Sequence, residues 1–441
     1  MAGNGSIDAD ERTGLLSGSG GREADESQTN GVGRTPYHKD PRIWVRWPMN
    51  TLHITYHTLM SNYVNVLLVF VPLGIISGAV GWDPTTTFIL NFLAIIPLAS
   101  LLSFATEELA AKLGQTLGGL LNATFGNAVE LIVSIVALKN NQIRIVQASM
   151  LGSILSNILL VLGCCFLVGG LSRHEQLFNS TMASTMSSLM AVASASLIIP
   201  ATLFSALRGS KESAEDNILI LSRATAIILL VLYVIYLYFQ LRSHSDLFEE
   251  VQADQGDAEQ GEGEEEEQLL SPIAAGIVLI IITLAVAKCA DYLVDSIDTI
   301  VERTGISKTF IGLILIPIVG NAAEHVTAVI VAYKNKMDLA IGVAIGSSLQ
   351  IALFVTPFLV ILGWIMGVDM SLRFEVFETV AFFLSGLVVT LLIMDGKSNY
   401  LEGALCIGMY LIIAVAFLVY PDDAGSDGQG FFPITPPGSS P

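Results

Sequence analysis

Two stretches of the chain place an asparagine and a glutamate three residues apart within apolar sequence. They are Asn127 and Glu130 in "LLNATFGNAVELIVSIVALKN", and Asn321 and Glu324 in "GLILIPIVGNAAEHVTAVIVAY". Residues three apart share one helical face, so each stretch presents a carboxylate beside an amide oxygen. A charged group at the centre of a membrane helix costs nominally about 2.5–3.5 kcal/mol on insertion scales. A chain that carries two such groups uses them. Two carboxylates and two amide oxygens suit a hard divalent cation, since Ca2+ takes roughly 6–8 oxygen ligands at about 2.3–2.6 Å and tolerates irregular geometry. Gly126, Gly320 and Pro317 loosen the helices beside the motifs and free backbone carbonyls as further ligands. Neither Cys nor paired His lies alongside, which argues against a site built for a soft metal. The same glutamates can take protons when the cation leaves, and competition for one site is the minimum requirement for exchange.

Other polar residues sit close by. Ser153, Ser156 and Asn157 follow the first motif, and Ser347, Ser348 and Gln350 follow the second, each set in the next apolar span. They either bond the glutamates and line the ion path or serve as small residues that pack helices together. His325 has Leu131 as its counterpart and is either a proton relay or a bond to a neighbouring helix. Glu107 and Asp291, in "ATEEL" and "CADYL", form a second tier of proton or path residues near span ends, with Lys288 beside Asp291.

The elements that position these groups are apolar helices. Hydrophobic residues make up 52% of 441 and charged ones 14%, far from an average soluble domain. Apolar runs of bilayer-crossing length occur at 64–82, 87–106, 113–138, 146–171, 182–205, 217–241, 271–294, 309–333, 339–366, 374–394 and 401–420. The fold class is therefore an all-α polytopic membrane protein with eleven spans, not a barrel. Asn127 maps onto Asn321 and Glu130 onto Glu324 at one offset, 321−127 = 324−130 = 194, which also carries Gly152-Ser153 onto Gly346-Ser347. The first span is then an extra, leaving two repeats of five. An odd count inverts the second repeat relative to the first, the usual plan of a secondary transporter with its site at the repeat interface.

This plan divides the chain into a disordered tail (1–42), an interfacial segment with the extra span (43–82), a first repeat (83–245), an acidic loop (246–270), a second repeat (271–420) and a flexible end (421–441). The loop carries eleven acidic residues from Asp246 to Glu267, including Glu264, Glu265, Glu266 and Glu267, out of a net charge of −19. It lacks the D-x-D-x-D-G spacing of an EF-hand. "ERTGLL", Glu11 to Leu16, matches an acidic dileucine signal for a sorting adaptor. There is no cleavable signal peptide. Cys164, Cys165, Cys289 and Cys406 form no C-x-x-C pair and read as small buried residues. With the N-terminus cytosolic, twelve Lys and Arg fall on the cytosolic side and eight opposite, a weak positive-inside bias. No phosphate-binding loop is present, so the chain reads as neither an enzyme nor an ATP-driven pump, with no permanent cofactor and no nucleic-acid partner.

"GNAVELIVSIVALKNNQIRIVQASMLGSILSN" and "GNAAEHVTAVIVAYKNKMDLAIGVAIGSSLQI" resemble the two signature repeats of the calcium/proton exchangers, the CAX family of the cation/calcium exchanger superfamily, most of all the fungal vacuolar exchangers. The resemblance implies that Glu130 and Glu324 bind the cation and the protons. It also implies that Asn127, Asn321, Ser153, Ser347 and Gln350 line the site, and that the acidic loop is cytosolic and regulatory. The implied activity is uptake of cytosolic Ca2+, with Mn2+ as an alternative cargo, into an acidic organelle such as the vacuole, driven by protons leaving it. The N-terminus is then cytosolic and the C-terminus lumenal. Two rivals remain. A sodium/calcium exchanger shares the architecture but typically carries Ser/Thr-rich, proline-containing motifs where this chain has Asn. A cation channel also lines its path with acidic groups, but more naturally as a ring of subunits.

Overall fold

The computed structural model describes residues 63–206, 211–245 and 272–420. The tail, the Glu11–Leu16 signal, the acidic loop and the C-terminal end lie outside the described residues.

The chain enters through a 3-10 turn, Tyr63–Val69, and helix α1 (Phe70–Val80). The next helical run, Pro84–Phe125, starts on Asp83, whose carboxylate accepts from Thr85 N, with proline in the first turn. Arg303 donates to Asp83 from across the fold and holds its carboxyl below the usual carboxylate range. This run is not one straight rod. A Cβ on Gly118 would lie 2.4 Å from the Ala110 carbonyl oxygen, whereas eight residues of straight helix span about 12 Å. The chain therefore folds back between α2 (Pro84–Leu113) and α3 (Leu117–Phe125).

Helices α4 (Ala128–Lys139), α5 (Ile143–Gly170), α6 (Ser180–Ala206) and α7 (Lys211–Tyr238) complete the first half. The second half holds α8 (Pro272–Asp295), α9 (Ile297–Thr304), α10 (Lys308–Gly320), α11 (Ala322–Tyr333), α12 (Met337–Met366), α13 (Val376–Ile393) and α14 (Tyr400–Val419). Among the described residues eight helices are long and apolar enough to cross a membrane. The bent pairs α3–α4, at 47°, and α10–α11, at 57°, raise this to ten. The expected first span, 64–82, is a shorter apolar helix, Val64–Val80. Large apolar side chains point outward, Ile365 being 78% exposed and Ile412 72%, as lipid-facing surface requires.

Local structure recurs at the offset of 194. The helices break at Asn127 and again at Asn321. The turns that end α4 and α11 each carry an asparagine at positive φ, Asn141 at 58° and Asn335 at 67°, a conformation that Asn tolerates better than most residues. Both α5 and α12 contain a π turn, Ser156–Val161 and Ile351–Val355. In the second half two π turns, Ile311–Leu315 and Ile351–Val355, immediately precede Pro317 and Pro357. A proline removes an N–H and crowds the carbonyl four residues back; residues 313 and 353 both fall inside the widened turns.

Contacts between the halves come in exchanged pairs. Helix α2 packs on α8, and α6 packs on α13. The C-terminal part of α5 packs on α14, while that of α12 packs on α7. The loops gather at two ends. At one end Asn140 donates to Asp295, Gln142 to Asp298, Arg144 to Thr309 and Glu378, and Gln147 to the Ser371 carbonyl. At the other end Arg173 reaches the Tyr333 carbonyl, Gln176 reaches Asn335, and Gln176–Leu177 pairs antiparallel with Lys397–Ser398. The turn after α4 thus belongs to the first end and the turn after α11 to the second.

Helix α5 is the most enclosed span and crosses α10 at glycines. A Cβ on Gly152 would lie 2.1 Å from the Leu313 oxygen, and one on Gly312 2.8 Å from the Ala148 Cβ. Gly152→Ala is therefore expected to destabilise the detergent-solubilised protein by about 1–3 kcal/mol through overpacking against backbone, read as a lowered unfolding temperature. Gly276→Ala, facing open space, should leave it unchanged. Arg144 forms two bonds to Glu378, whose side chain is 0% exposed. Arg144→Met leaves that carboxylate buried without its partner and is expected to cost about 3–5 kcal/mol. Adding Glu378→Gln should recover most of the loss.

Candidate cation site

The sequence GNAxE builds the same local device twice. Helix α3 stops at Phe125, Asn127 leaves helical geometry at φ −103° and ψ 29°, and α4 begins at Ala128. Helix α10 stops at Gly320, Asn321 takes φ −84° and ψ 4°, and α11 begins at Ala322. Each asparagine occupies the cap position of the following helix, and its carbonyl starts the new ladder by accepting from Leu131 or His325. Asn commonly caps with its side chain, yet neither side chain does so here. Both are turned toward the opposite half.

Asn127 Nδ2 donates to Gln350 Oε1 at 2.6 Å, and Asn127 Oδ1 accepts from Ser347 Oγ at 2.8 Å. Ser347 Oγ in turn accepts from Asn157 Nδ2 at 3.1 Å. Asn321 Nδ2 donates to the Ser153 carbonyl at 3.3 Å. The chain Asn157–Ser347–Asn127–Gln350 thus crosses between α5, α12 and α4, with each donor satisfied by the next acceptor. Glu130 is buried at 6% exposure and lies against the second break: a Cβ on Gly320 would sit 2.7 Å from its Oε1. At the first break a Cβ on Gly126 would sit 3.7 Å from Gln350 Oε1. Gly320 therefore makes room for a carboxylate from the other half, whereas the close approach at Gly126 is to the Asn122 carbonyl of its own half, 2.8 Å from such a Cβ.

Glu324 lies beside Ser347 and within interaction range of Glu130, and three buried oxygens in this cluster have no donor: Asn157 Oδ1, Asn321 Oδ1 and Glu324 Oε2. Buried acceptors are normally paired, and unpaired ones cost about 1–3 kcal/mol each. They are the hard oxygen donors that a Ca2+ cargo takes. Among the described residues no three His, Cys, Asp or Glu side chains converge, so the charge of the cluster rests on two glutamates and the rest is neutral oxygen.

The predicted residues divide accordingly. Asn127, Glu130, Asn157, Asn321, Ser153, Ser347, Gln350, Gly126 and Gly320 are joined by these contacts. Ser348 bonds back to Ala344 of its own helix, and Ser156 is buried in the π turn of α5. His325 is half-buried one position after Glu324. Glu107 lies on α2, while Asp291 pairs with Lys288 at 3.0 Å, with that ammonium over the Tyr292 ring. The sequence reading missed the Arg144–Glu378 pair. Its signal was present, an unmatched charge at the first turn of each of two apolar spans.

Ser347 makes two links of the hydrogen-bond chain and Ser348 makes none. Two neutral bonds at about 0.5–1.5 kcal/mol each imply that Ser347→Ala weakens Ca2+ binding by roughly tenfold, whereas Ser348→Ala stays within about twofold. Calorimetric titration of the purified variants measures both.

This geometry has known relatives. The sodium/calcium exchanger protein family model matches residues 84–242 and 274–419. The vacuolar calcium ion transporter of Schizosaccharomyces pombe is 51% identical over 85% of this chain and 89% of its own. Vacuolar cation/proton exchanger 5 of Arabidopsis thaliana is 44% identical over 84% of each chain. The solved structure of native YfkE, a Ca2+/H+ antiporter, is 38% identical, covers 81% of this chain and 100% of its own, and superposes with a TM-score of 0.68. The family match breaks between residues 242 and 274, where the acidic loop lies, and resumes in the second half. The chain belongs to the sodium/calcium exchanger protein family and, within it, to the calcium/proton exchangers.

Proposed function

We propose that this protein is a secondary antiporter that carries Ca2+ from the cytosol into the vacuole or a similar acidic organelle in exchange for H+. Exchange proceeds by alternating access at the Glu130–Glu324 cluster. The observation that carries the reading is the set of unpartnered buried oxygens, Asn157 Oδ1, Asn321 Oδ1 and Glu324 Oε2, gathered with Glu130 where the two halves meet. The names of the relatives supply the coupling ion and the compartment.

In this mechanism Glu130 and Glu324 bind Ca2+ through their carboxylates, with Asn157 Oδ1, Asn321 Oδ1, the second lone pair of Asn127 Oδ1 and the Ser153 carbonyl completing the oxygen shell. Two carboxylates balance one Ca2+ or two protons, so either load leaves the site with the same charge. The unloaded site holds two uncompensated charges in a low dielectric, which disfavours its crossing and couples the two fluxes. His325 relays protons to Glu324. Glu107 and Asp291 form outer steps of the path, and Mn2+ shares the site with Ca2+. No permanent cofactor takes part.

The architecture behind this is an extra first span followed by two inverted five-span repeats, eleven in all. The exchanged contacts and the opposite ends reached by α4 and α11 support it. The N-terminus and the acidic loop with Glu264, Glu265, Glu266 and Glu267 face the cytosol and the C-terminus faces the lumen. The loop regulates transport, and an adaptor reads Glu11–Leu16.

Radioactive Ca2+ uptake into sealed vesicles holding the purified protein tests the reading. Uptake is expected to require an acid interior, to collapse when a protonophore discharges that gradient at clamped voltage, and to fall to background in Glu130→Gln and Glu324→Gln. Uptake driven by a sodium gradient would place the coupling on sodium. Flux that follows only the Ca2+ gradient would mean a channel and overturn exchange.

A further inference from the structure

Outside the cation site a groove of about 480 Å3 lies on the outer surface, between α7 and α12. Its walls are wholly apolar: Ile227, Val231, Val234 and Ile235 from α7, and Ile361 and Trp364 from α12. The α7 residues follow the spacing of one helical face. That same face, one turn earlier, carries Arg223, level with the end of α12. The Arg223 guanidinium lies 5.0 Å from the Trp364 ring centre, and its Nε is buried without a hydrogen-bond partner. Its nearest carboxylate, Asp369, is 3.7 Å away and 73% exposed, a loose and solvated contact.

A partly exposed cation with only a loose, solvated carboxylate partner thus caps an apolar trough that starts level with the end of α12 and runs along α7. From Arg223 to Ile235 the trough extends about 18 Å at 1.5 Å per residue, the scale of an acyl chain in one leaflet, roughly half of a 30 Å hydrocarbon core. Trp364 sits where aromatic side chains settle at membrane interfaces. We infer that the groove between α7 and α12 binds an anionic glycerophospholipid, with its phosphate on the partly exposed face of the Arg223 guanidinium and one acyl chain along Ile227, Val231, Val234 and Ile235. A second protein copy would have to bring a carboxylate to the bilayer edge and a matching ridge. A lipid brings phosphate and chain in the required order.

The test is native mass spectrometry of the full-length detergent-purified protein titrated with phosphatidylglycerol or phosphatidylcholine. Wild type is expected to retain one phosphatidylglycerol per chain in preference to phosphatidylcholine. Arg223→Ala should weaken that retention by about tenfold, the loss of one charge-assisted hydrogen bond, with Arg223→Lys in between. Val234→Trp, which fills the trough and leaves the arginine in place, should lower retention of both lipids. Equal retention by wild type and both altered proteins overturns the proposal, as does a dimer that forms through this face and excludes lipid. If Arg223→Ala unfolds, Val234→Trp and the wild-type preference between the two lipids decide.

Discussion

Everything in this fold answers to the burial of two carboxylates in apolar surroundings. Glu130 and Glu324 are tolerable there only when charge is balanced, by a divalent cation or by protons. Each helix pair therefore breaks beside its glutamate. The breaks at Asn127 and Asn321 turn both amide side chains away from capping and toward the opposite half. The glycine at 320 keeps space for the Glu130 carboxylate that crosses from the other half. The hydrogen-bond chain from Asn157 to Gln350 then fixes the neutral part of the site and leaves Asn321 Oδ1 and Glu324 Oε2 unpartnered.

Helix α5 shows how the scaffold serves this requirement. It crosses α10 at Gly152, with no room for a side chain, and carries Ser153 and Asn157 into the cluster one turn on. At its N-terminal end Arg144 ties it to α10 through Thr309 and to α13 through Glu378. The same helix thus joins that loop end of the fold to the centre of the site. Proline placement follows a similar logic: Pro317 and Pro357 are accommodated by π turns.

Much of this was legible in the residues. The 194-residue offset identified both motifs because Asn, Glu, Gly and Ser are so unlike their apolar neighbours that the pattern survives divergence. The joining of Asn127, Glu130, Asn321, Ser347 and Gln350 follows from it. Helix ends were less legible. The run from 87 to 138 reads as two spans with a polar gap. Periodicity does not reveal that helical geometry persists to Phe125 around a fold-back, because that depends on Gly118 meeting Ala110. The partner of Arg144 was hidden for another reason. Arg144 and Glu378 lie 234 residues apart, and no local spacing connects them. Ser348 differs from Ser347 only by its position on the helix, so residue type alone assigned both to the path.

The central claim is that one pair of carboxylates holds either Ca2+ or protons. Proton release on adding Ca2+ to the purified protein, in weakly buffered solution, measures this without any vesicle or gradient. The account predicts protons released in proportion to Ca2+ bound, with the release lost when Glu130 or Glu324 is replaced by glutamine. Ca2+ binding with no proton released at any pH would contradict it.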